Sequence, residues 1–311
     1  MSDKPNFPPI LILILGILSA STAAIFIRLA QQYAPSLVIA ALRLTFATLI
    51  IAPLAIARQW KEIRSLNQRQ QGLIILSGFF LALHFACWIT SLEYTTVASS
   101  VVLVTSTPLW VALLLPITLK EPMDRAARIG MVIAFAGAII VGLSDSCQWN
   151  NGQLTCPSLS TFIQGKAFLG DVLALLGAIM AAFYILIGRK LRPTISLLGY
   201  IFGVYGSASV FLIVLALLSG EKFSGYPVQA YGWSFMLALF PQILGHSSFN
   251  WALRYLSAGY VSISLLGEPI SSTILAMIFL DETPGWNKVI GSLLILCGIA
   301  LASLGEFKKR P

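Results

Sequence analysis

Long apolar runs fill most of this sequence, and each has about the length of a helix that crosses a lipid bilayer. A spanning helix needs roughly 20 mainly apolar residues, and only 10% of the 311 residues are charged, against about 25% in soluble domains. A water-soluble globular fold is therefore excluded. The runs predict ten transmembrane helices, at about 10–30, 36–57, 72–91, 97–119, 126–143, 169–188, 196–219, 232–253, 259–280 and 289–304. Because they are continuous and lack the alternation of barrel strands, the predicted fold class is an all-α integral membrane protein.

The basic residues are distributed unevenly along the chain. If the N-terminus is cytoplasmic, 15 of the 20 Lys and Arg residues fall in cytoplasmic segments and three in outside loops, while Arg28 and Arg43 fall within spans. This bias follows the positive-inside rule and predicts a multi-pass protein with both termini in the cytoplasm. The lipid bilayer is the expected partner of these charges, so the net charge of +8 does not indicate nucleic-acid binding. The absence of an Asn-x-Ser/Thr sequon fits a bacterial plasma (inner) membrane.

Residues 92–137 resemble residues 253–298 at a constant offset of 161. The shared prolines and glutamates carry the comparison, because both residue types are rare in this chain. The matched pairs are Leu92 and Leu253, Tyr94 and Tyr255, Pro108 and Pro269, Leu119 and Leu280, Glu121 and Glu282, Ile129 and Ile290, Gly130 and Gly291, and Gly137 and Gly298. The paired small residues Gly130/Gly137 and Gly291/Gly298 predict close helix packing. Spans one, two, six and seven show no constant register.

A polar loop divides the predicted spans into two groups of five. We therefore predict a first five-helix repeat at 1–143, an extracytoplasmic loop at 144–168 and a second five-helix repeat at 169–311. Since five is odd, the second repeat crosses the membrane in the opposite sense to the first. Inverted repeats of this kind are the architecture of many secondary transporters.

Several short motifs resemble the EamA-type transporters of the drug/metabolite transporter (DMT) superfamily. They are Leu42-Arg43-Leu44-Thr45-Phe46, residues 98–108, Glu268-Pro269, and the glutamates Glu121 and Glu282. The resemblance covers essentially the whole chain and implies ten spans in two five-helix repeats that move amino acids, other small metabolites or drugs, usually outward. This chain departs from the family in having Lys120 and Asp281 before the two glutamates, where glycine is common. It also has Thr22-Ala23-Ala24 where Trp-Gly is frequent.

Two charged residues lie inside predicted spans, where a charge costs roughly 2.5–3.5 kcal/mol on insertion scales. Arg43 either ties its guanidinium to freed carbonyl groups or provides a fixed positive charge for an anionic group of a substrate. Glu268 immediately precedes Pro269, a helix-breaking residue that leaves backbone groups unsatisfied. A carboxyl without a partner in this environment favours its protonated form, which makes Glu268 a candidate for proton coupling. A static Arg43–Glu268 ion pair is the alternative. In the first repeat, Thr107-Pro108 occupies the matching helix break.

The two histidines, His84 and His246, lie at similar depths in the predicted spans three and eight. Each is either a hydrogen-bonded packing residue or part of a cavity lining. Helical spacing places Trp88 on the face of His84, and places Asn250 and Gln242 on the face of His246. Tyr184 and Tyr205 are further candidates, with core or lipid packing as the alternative for all the aromatic residues. Aromatic, amide and imidazole groups together suit an amphipathic organic solute better than an inorganic ion.

The remaining polar features indicate structure rather than chemistry. Cys147 and Cys156 lie in the long outside loop, where an oxidising compartment permits a disulfide, whereas Cys87 and Cys297 lie within spans. Glu121 and Glu282 are expected to cap the amide groups of the helix that follows each. No metal site is predicted, since ligands do not gather at suitable spacing, and no cofactor, hydrolase or nucleotide-binding signature occurs.

The sequence therefore predicts a secondary transporter of small organic metabolites (amino acids or related compounds, or drugs) rather than an enzyme. It would work by alternating access, without ATP, and export is the expected direction. The predicted substrate-binding residues are Arg43, His84, Trp88, His246, Asn250 and Glu268, with helix breaks at Pro108 and Pro269. The alternative is a structural or receptor-like polytopic membrane protein without transport activity. The oligomeric state is left open, and a monomer is consistent with the sequence.

Overall fold

The structure is a computed structural model that describes residues 7–118, 125–144, 148–150, 153–155, 161, 163–256, 258, 261, 264–265 and 267–307. In the first half the helices are α1 (Pro9–Ser21), α2 (Ala23–Gln31), α3 (Ser36–Ser65), α4 (Gln68–Tyr94), α5 (Val97–Val104), α6 (Thr107–Thr118) and α7 (Arg125–Ser144). In the second half they are α8 (Lys166–Leu191), α9 (Leu197–Leu218), α10 (Val228–Leu237), α11 (Ser247–Ala252), α12 (Gly267–Phe279) and α13 (Trp286–Phe307). A π-helical segment, Ala238–His246, joins α10 to α11.

Within this described part, six helical stretches are long and apolar enough to cross a membrane. They are Pro9–Gln31, Ser36–Ser65, Gln68–Tyr94, Val97–Leu114, Lys166–Leu191 and Leu197–Leu218. Shorter apolar helices occupy Arg128–Val141, Gly267–Phe279 and Trp286–Leu301. The chain is thus an all-helical, multi-pass membrane protein, because a helix satisfies its own backbone hydrogen bonds in lipid. The number of ten spans remains a prediction.

Helix α3 extends beyond the apolar run that predicted it. The run ends near residue 57, but the helix continues to Ser65 and carries Arg58, Lys61 and Arg64 on its last turns. The extension ends where Asn67 begins α4 with a capping box: the Gln70 amide donates to Asn67 Oδ1 (2.9 Å), and the Asn67 amide donates to Gln70 Oε1 (3.1 Å). Long basic side chains reach water from such a position, so hydropathy alone underestimates the length of the helix.

Four glycines allow α7 and α13 to cross in close contact. A Cβ atom added to Gly137 would lie 2.6 Å from the carbonyl oxygen of Gly291, and one added to Gly298 would lie 2.5 Å from that of Gly130. The close packing predicted for these glycines is confirmed. The two contacts are also equivalent, since the offset of 161 converts Gly130 to Gly291 and Gly137 to Gly298. The two helices run antiparallel and are related by an internal two-fold, the pattern of an isologous contact.

The same offset relates contacts in the first and sixth spans, for which the sequence comparison showed no register. Arg28 Nη1 donates to the carbonyl oxygen of Leu92 at 2.8 Å, and Arg189 Nη1 donates to that of Leu253 at 2.7 Å. Both the donors and the acceptors are 161 residues apart. The repeat therefore includes α2 and α8, where only a small part of the sequence is shared.

One small element departs from the all-α prediction. Strands β1 (Gln148–Asn150) and β2 (Gln153–Thr155) form an antiparallel hairpin in the loop between the two halves, in which Gln148 pairs with Thr155. The predicted disulfide partners Cys147 and Cys156 lie outside the described residues, as does Glu121.

Candidate functional site

A cavity of about 50 Å³ lies between the two halves. The first half contributes α4 and the junction of α5 with α6, and the second contributes α8, α11, the end of the π-helical segment and the start of α12. The lining residues are His84, Trp88, Val104, Thr105, Thr107, Ala181, Tyr184, Ile185, His246, Phe249, Asn250, Leu253, Val261, Leu265 and Glu268. Five of the six predicted substrate-binding residues thus surround one space: His84, Trp88, His246, Asn250 and Glu268.

Two interrupted helices bring backbone and polar groups to this cavity. The chain leaves α5 after Val104 and begins α6 at Thr107, so that Pro108 lies in the first turn of the new helix. Helix α12 begins at Gly267, and Pro269 lies in its first turn in the same way. Proline is well tolerated there because first-turn amides have no partner within the helix. Each proline therefore follows the break and starts the next helix.

Hydroxyl groups satisfy the backbone at the first of these breaks. Thr105 Oγ1 donates to the Val101 carbonyl (2.8 Å), Ser106 Oγ donates to that of Leu103 (2.6 Å), and Thr107 Oγ1 donates to that of Val104 (2.9 Å). Irregular backbone at membrane depth is stable where such groups replace the helical bonds or where it lines a cavity. This junction meets both conditions, since Thr105 and Thr107 also line the cavity.

The two histidines lie on facing sides of the cavity, with their ring centroids 6.2 Å apart. His84 Nδ1 lies 2.9 Å from the carbonyl oxygen of Gly177, and a carbonyl only accepts, so the imidazole carries a proton on Nδ1. Its ring also stacks on Trp88 at 5.8 Å and 22°. His246 lies 5.8 Å from Phe249, edge to face. His84 is thus both a hydrogen-bonded packing residue and part of the lining, which joins the two interpretations that the sequence separated.

A buried hydrogen-bond network fixes the wall beside His246. Tyr184 OH lies 2.8 Å from Asn250 Oδ1, and Asn250 Nδ2 lies 3.4 Å from Tyr205 OH. Tyr205 OH in turn lies 3.1 Å from Ser247 Oγ and 3.4 Å from the Gln242 carbonyl. Tyr184 and Tyr205, which the sequence offered only as further candidates, orient the amide of Asn250.

The π-helical segment determines where Gln242 and His246 lie. Pro241 inside this segment has no amide hydrogen and cannot donate a helical bond. The wider π turn accommodates it without ending the helix, and such segments are frequent at functional sites. The sequence signal was Pro241-Gln242 within an apolar run, a proline beside an amide side chain at membrane depth.

Arg43 is the one predicted binding residue that does not reach the cavity surface. Its side chain is fully buried, its Nε donates to Gln242 Oε1 at 2.9 Å, and its Cζ lies 4.0 Å above the ring of Phe85. Its Nη1 and Nη2 atoms have no hydrogen-bond partner among the described residues. The ring of Phe85 thus contacts Arg43 and also lies 5.2 Å from the ring of His246, a residue of the cavity wall. Sequence reasoning did not identify Phe85.

Glu268 lies on the cavity wall in the first turn of α12. It is 8% exposed, and among the described residues neither a hydrogen bond to its carboxylate nor an ion pair with Arg43 within 4.0 Å is present. The static ion pair considered from sequence is absent between these two described residues.

A second polar cluster lies away from the cavity, where α2, α4 and α12 end. Arg28 Nη2 forms an ion pair with Glu282 Oε1 at 2.8 Å, and Glu282 Oε2 accepts a hydrogen bond from the Val97 amide at 2.9 Å. Glu282 therefore caps the N-terminus of α5 in the opposite half, whereas the sequence predicted that it caps the helix that follows it.

Groups of three or more His, Cys, Asp or Glu side chains that could hold a metal ion do not occur in the described part of the chain.

Comparison with known proteins identifies relatives along nearly the whole chain. The family model described as the EamA-like transporter family matches residues 7–143 and 168–304. The uncharacterized transporter YetK of Bacillus subtilis is 23% identical over 91% of this chain and 82% of its own length. A probable terminal-alkyne amino-acid exporter of Streptantibioticus cattleyicolor is also 23% identical, over 88% of this chain and 86% of its own. A solved crystal structure superposes with a TM-score of 0.65 at 17% identity, covering 97% of this chain and 99% of that one, which shows a shared fold.

Proposed function

The chain belongs to the EamA-like transporter family, whose members are transporters and not enzymes, and we propose that it is a secondary transporter. Its solutes are small organic metabolites, chiefly amino acids or related compounds, and it exports them. The cavity carries this proposal: it is built from both repeats, and a few polar side chains, including His84, Asn250 and Glu268, are set in a mainly apolar wall. Binding sites at the interface of two inverted repeats are typical of secondary transporters.

Alternating access explains how such a site serves both sides of the membrane. The two halves rock about the glycine-lined crossing of α7 with α13, which lies on the internal two-fold. The crossing permits close backbone contact without interlocking side chains, and the interrupted helices at Thr107 and Gly267 provide points where the backbone bends. Transport requires no ATP-binding module in this scheme.

The proposed substrate contacts are His84, Trp88, His246, Asn250 and Glu268 on the cavity wall, with Arg43 behind Phe85. The aromatic and imidazole rings would pack against an apolar part of the solute, and Asn250 would hydrogen-bond to a polar part. Arg43 would orient an anionic group. The Streptantibioticus relative, a probable terminal-alkyne amino-acid exporter, agrees with a solute that combines these features.

Glu268 is the proposed site of proton coupling. Its carboxyl lies at the cavity without a hydrogen bond from the described residues, and a low-dielectric environment favours the neutral form. Exposure of the cavity to the more alkaline side would release the proton, and exposure to the more acidic side would restore it. The inward proton gradient of a bacterial plasma membrane would then drive outward movement of the solute.

The proposed topology has ten spans and both termini in the cytoplasm, with the protein in a bacterial plasma membrane. The charge bias supports this orientation. All the proposed contacts come from one chain, so a monomer is sufficient for transport.

Counterflow in proteoliposomes tests the proposed function. Vesicles loaded with an unlabelled amino acid should accumulate the same labelled amino acid faster than vesicles loaded with buffer. If folded protein exchanges none of a panel of amino acids and related metabolites, the transporter proposal is wrong. A structural or receptor-like membrane protein then becomes the better description.

A further inference from the structure

Three donor nitrogens lie unused beside the cavity, on Arg43 and Gln242. Gln242 Oε1 accepts the bond from Arg43 Nε, and since that nitrogen can only donate, the amide orientation is determined and Nε2 remains a donor. Gln242 Nε2, Arg43 Nη1 and Arg43 Nη2 are all buried without a hydrogen-bond partner among the described residues. A buried donor without an acceptor destabilises the protein, and the penalty is larger for a charged group.

These donors match one ligand group particularly well. A guanidinium presents parallel N–H bonds that a carboxylate accepts with both oxygens, and the adjacent amide can donate a further bond. The donor group carries a single positive charge, that of one guanidinium, which one carboxylate balances. A solute with a single carboxylate satisfies both conditions.

Phe85 contacts both this donor group and a residue of the cavity wall. Its ring covers Arg43 at 4.0 Å on one side and lies 5.2 Å from His246, a cavity residue, on the other. The charge of Arg43 is therefore close to the cavity, through Phe85 and His246, although it is not part of the cavity surface. Rotation of one aromatic side chain would join the two spaces.

The size of the cavity makes such a movement necessary for binding. A volume of about 50 Å³ accommodates a few water molecules, whereas small-molecule sites enclose roughly 300–1,000 Å³. A metabolite therefore enters only if side chains or helices move. Phe85 contacts both Arg43 and the cavity residue His246, so its displacement would enlarge the space and expose the unpaired donors.

From this geometry we infer that Arg43 and Gln242 form a carboxylate subsite and that Phe85 is the specificity-determining residue that covers it until a carboxylate solute binds. The inference rests on the proposed function and adds to it the group of the solute that is recognised, the residue that assists Arg43 and the residue that covers the subsite. Phe85 has a cation–π contact with Arg43 in the free protein, and the solute carboxylate replaces that contact. A solute of the same shape without a carboxylate leaves Arg43 unsatisfied and binds weakly.

The experiment measures binding to the purified full-length protein by calorimetry and by thermal stabilisation. The probes are L-leucine and L-phenylalanine, the amides of both, and 4-methylpentanoate, which keeps the carboxylate and lacks the ammonium group. We expect the carboxylate-bearing probes to bind at least one order of magnitude more tightly than the amides. If the amides bind as tightly as the acids, or no carboxylate binds at all, the inference is wrong.

Gln242→Glu is the most informative variant, because it preserves the shape of the side chain and supplies Arg43 with an internal counter-ion. We expect roughly 10–100-fold weaker binding of the acids, unchanged binding of the amides and no loss of thermal stability. Arg43→Gln should give the same selectivity change. A purely structural role for Arg43 predicts that Gln242→Glu alters stability and leaves the preference for acids intact, which would overturn the inference.

Phe85→Leu tests the covering role, with Phe80→Leu as its matched control on the same helix. Phe80 stacks on Phe183 at 4.6 Å, and the described contacts of its ring do not include Arg43. If Phe85 covers Arg43 in about nine of ten molecules, its removal should tighten acid binding about tenfold, while Phe80→Leu should not. If Phe85→Leu does not fold, Phe85→Met replaces it in this test, because methionine fills more of the space that the phenylalanine side chain occupies. If Phe80→Leu and Phe85→Leu change the affinity for the acids equally, Phe85 does not cover the subsite.

Failure of this inference is distinguishable from failure of the proposed function. Counterflow of a solute without a carboxylate, unaffected by Gln242→Glu, retains the transporter and eliminates the carboxylate subsite. Loss of counterflow for every probe, with folded protein, contradicts both.

Discussion

Helix α4 and the segment from α10 through α11 occupy corresponding positions in the two repeats, yet their backbones differ. Helix α4 is a continuous α-helix from Gln68 to Tyr94, while its counterpart contains the π-helical turn around Pro241. Both segments line the same cavity, α4 through His84 and Trp88 and its counterpart through His246. Their distal ends remain equivalent, since Leu92 and Leu253 accept the same arginine contact. The ends of the helices retain the symmetry, and the middle of the second helix has lost it.

The two interrupted helices are likewise symmetric in their backbone and asymmetric in their side chains. Both breaks place a proline in the first turn of the following helix, so their backbone design is shared. The residue before the proline is Thr107 in one and Glu268 in the other. A threonine hydroxyl satisfies its own backbone, whereas a carboxyl in this position can exchange a proton with the cavity. The backbone at the two breaks is thus duplicated between the repeats, and the carboxyl that we propose for proton coupling occurs at only one of them.

Removal of the unmatched carboxyl should have the largest effect. We expect Glu268→Gln to abolish the stimulation of transport by a proton gradient, because the amide cannot bind or release a proton. Counterflow, which needs no net proton movement, should persist. Transport is measured across a range of pH values, with Thr107→Val as the control at the matching break. An unchanged pH dependence in Glu268→Gln would show that Glu268 is not the coupling residue.

Substitutions that disrupt the crossing of α7 with α13 should have the second-largest effect, a loss of stability. A Cβ at Gly137 or Gly298 would meet a backbone carbonyl, so we expect Gly137→Ala and Gly298→Ala each to destabilise the protein by about 1–3 kcal/mol. Gly72 is the control, since an added Cβ there has no heavy atom within 4 Å. Thermal unfolding in detergent measures the change. Markedly different losses at Gly137 and Gly298 would contradict the two-fold at this crossing.

The matched arginines should show a smaller effect. Arg28→Gln and Arg189→Gln each remove a hydrogen bond to a leucine carbonyl, so we expect losses of about 1 kcal/mol in each case. Glu282→Gln should reproduce part of the Arg28 loss, since the ion pair of Arg28 is partly exposed and contributes little by itself. The same unfolding assay measures all three. A loss at one arginine with none at the other would show that the shared contacts are not equivalent in energy.

The loop between the repeats should affect transport least. We predict a disulfide between Cys147 and Cys156, whose sequence neighbours Gln148 and Thr155 pair in the β hairpin. Alkylation followed by mass spectrometry with and without reductant measures the bridge. Substitution of both cysteines by serine should leave counterflow unchanged, because the described hairpin is remote in sequence from every cavity residue. Free thiols in protein purified without reductant would contradict the bridge.

Much of the candidate site could be predicted because polar residues within apolar runs must face a cavity or a partner. That argument selected His84, His246, Asn250 and Glu268, and the structure places them around one space. It failed for Phe85, since an aromatic residue in a membrane helix carries no signal that distinguishes a cover from ordinary packing. It also misassigned Glu282, because the amide that this residue caps belongs to a helix of the other repeat.

By itself, the sequence determined that the chain is a bundle of membrane helices in two related halves. Lipid offers no hydrogen-bond partners for backbone groups, so apolar runs of this length have few structures available to them. The repeat, with its offset of 161 residues, is visible in the sequence without a structure. Only the tertiary structure decided which residues meet: that the Phe85 ring contacts both Arg43 and His246, and that Glu282 pairs with Arg28 across the two-fold. Such contacts depend on how helices distant in sequence pack against each other, and hydropathy and spacing along one chain contain no information about that packing.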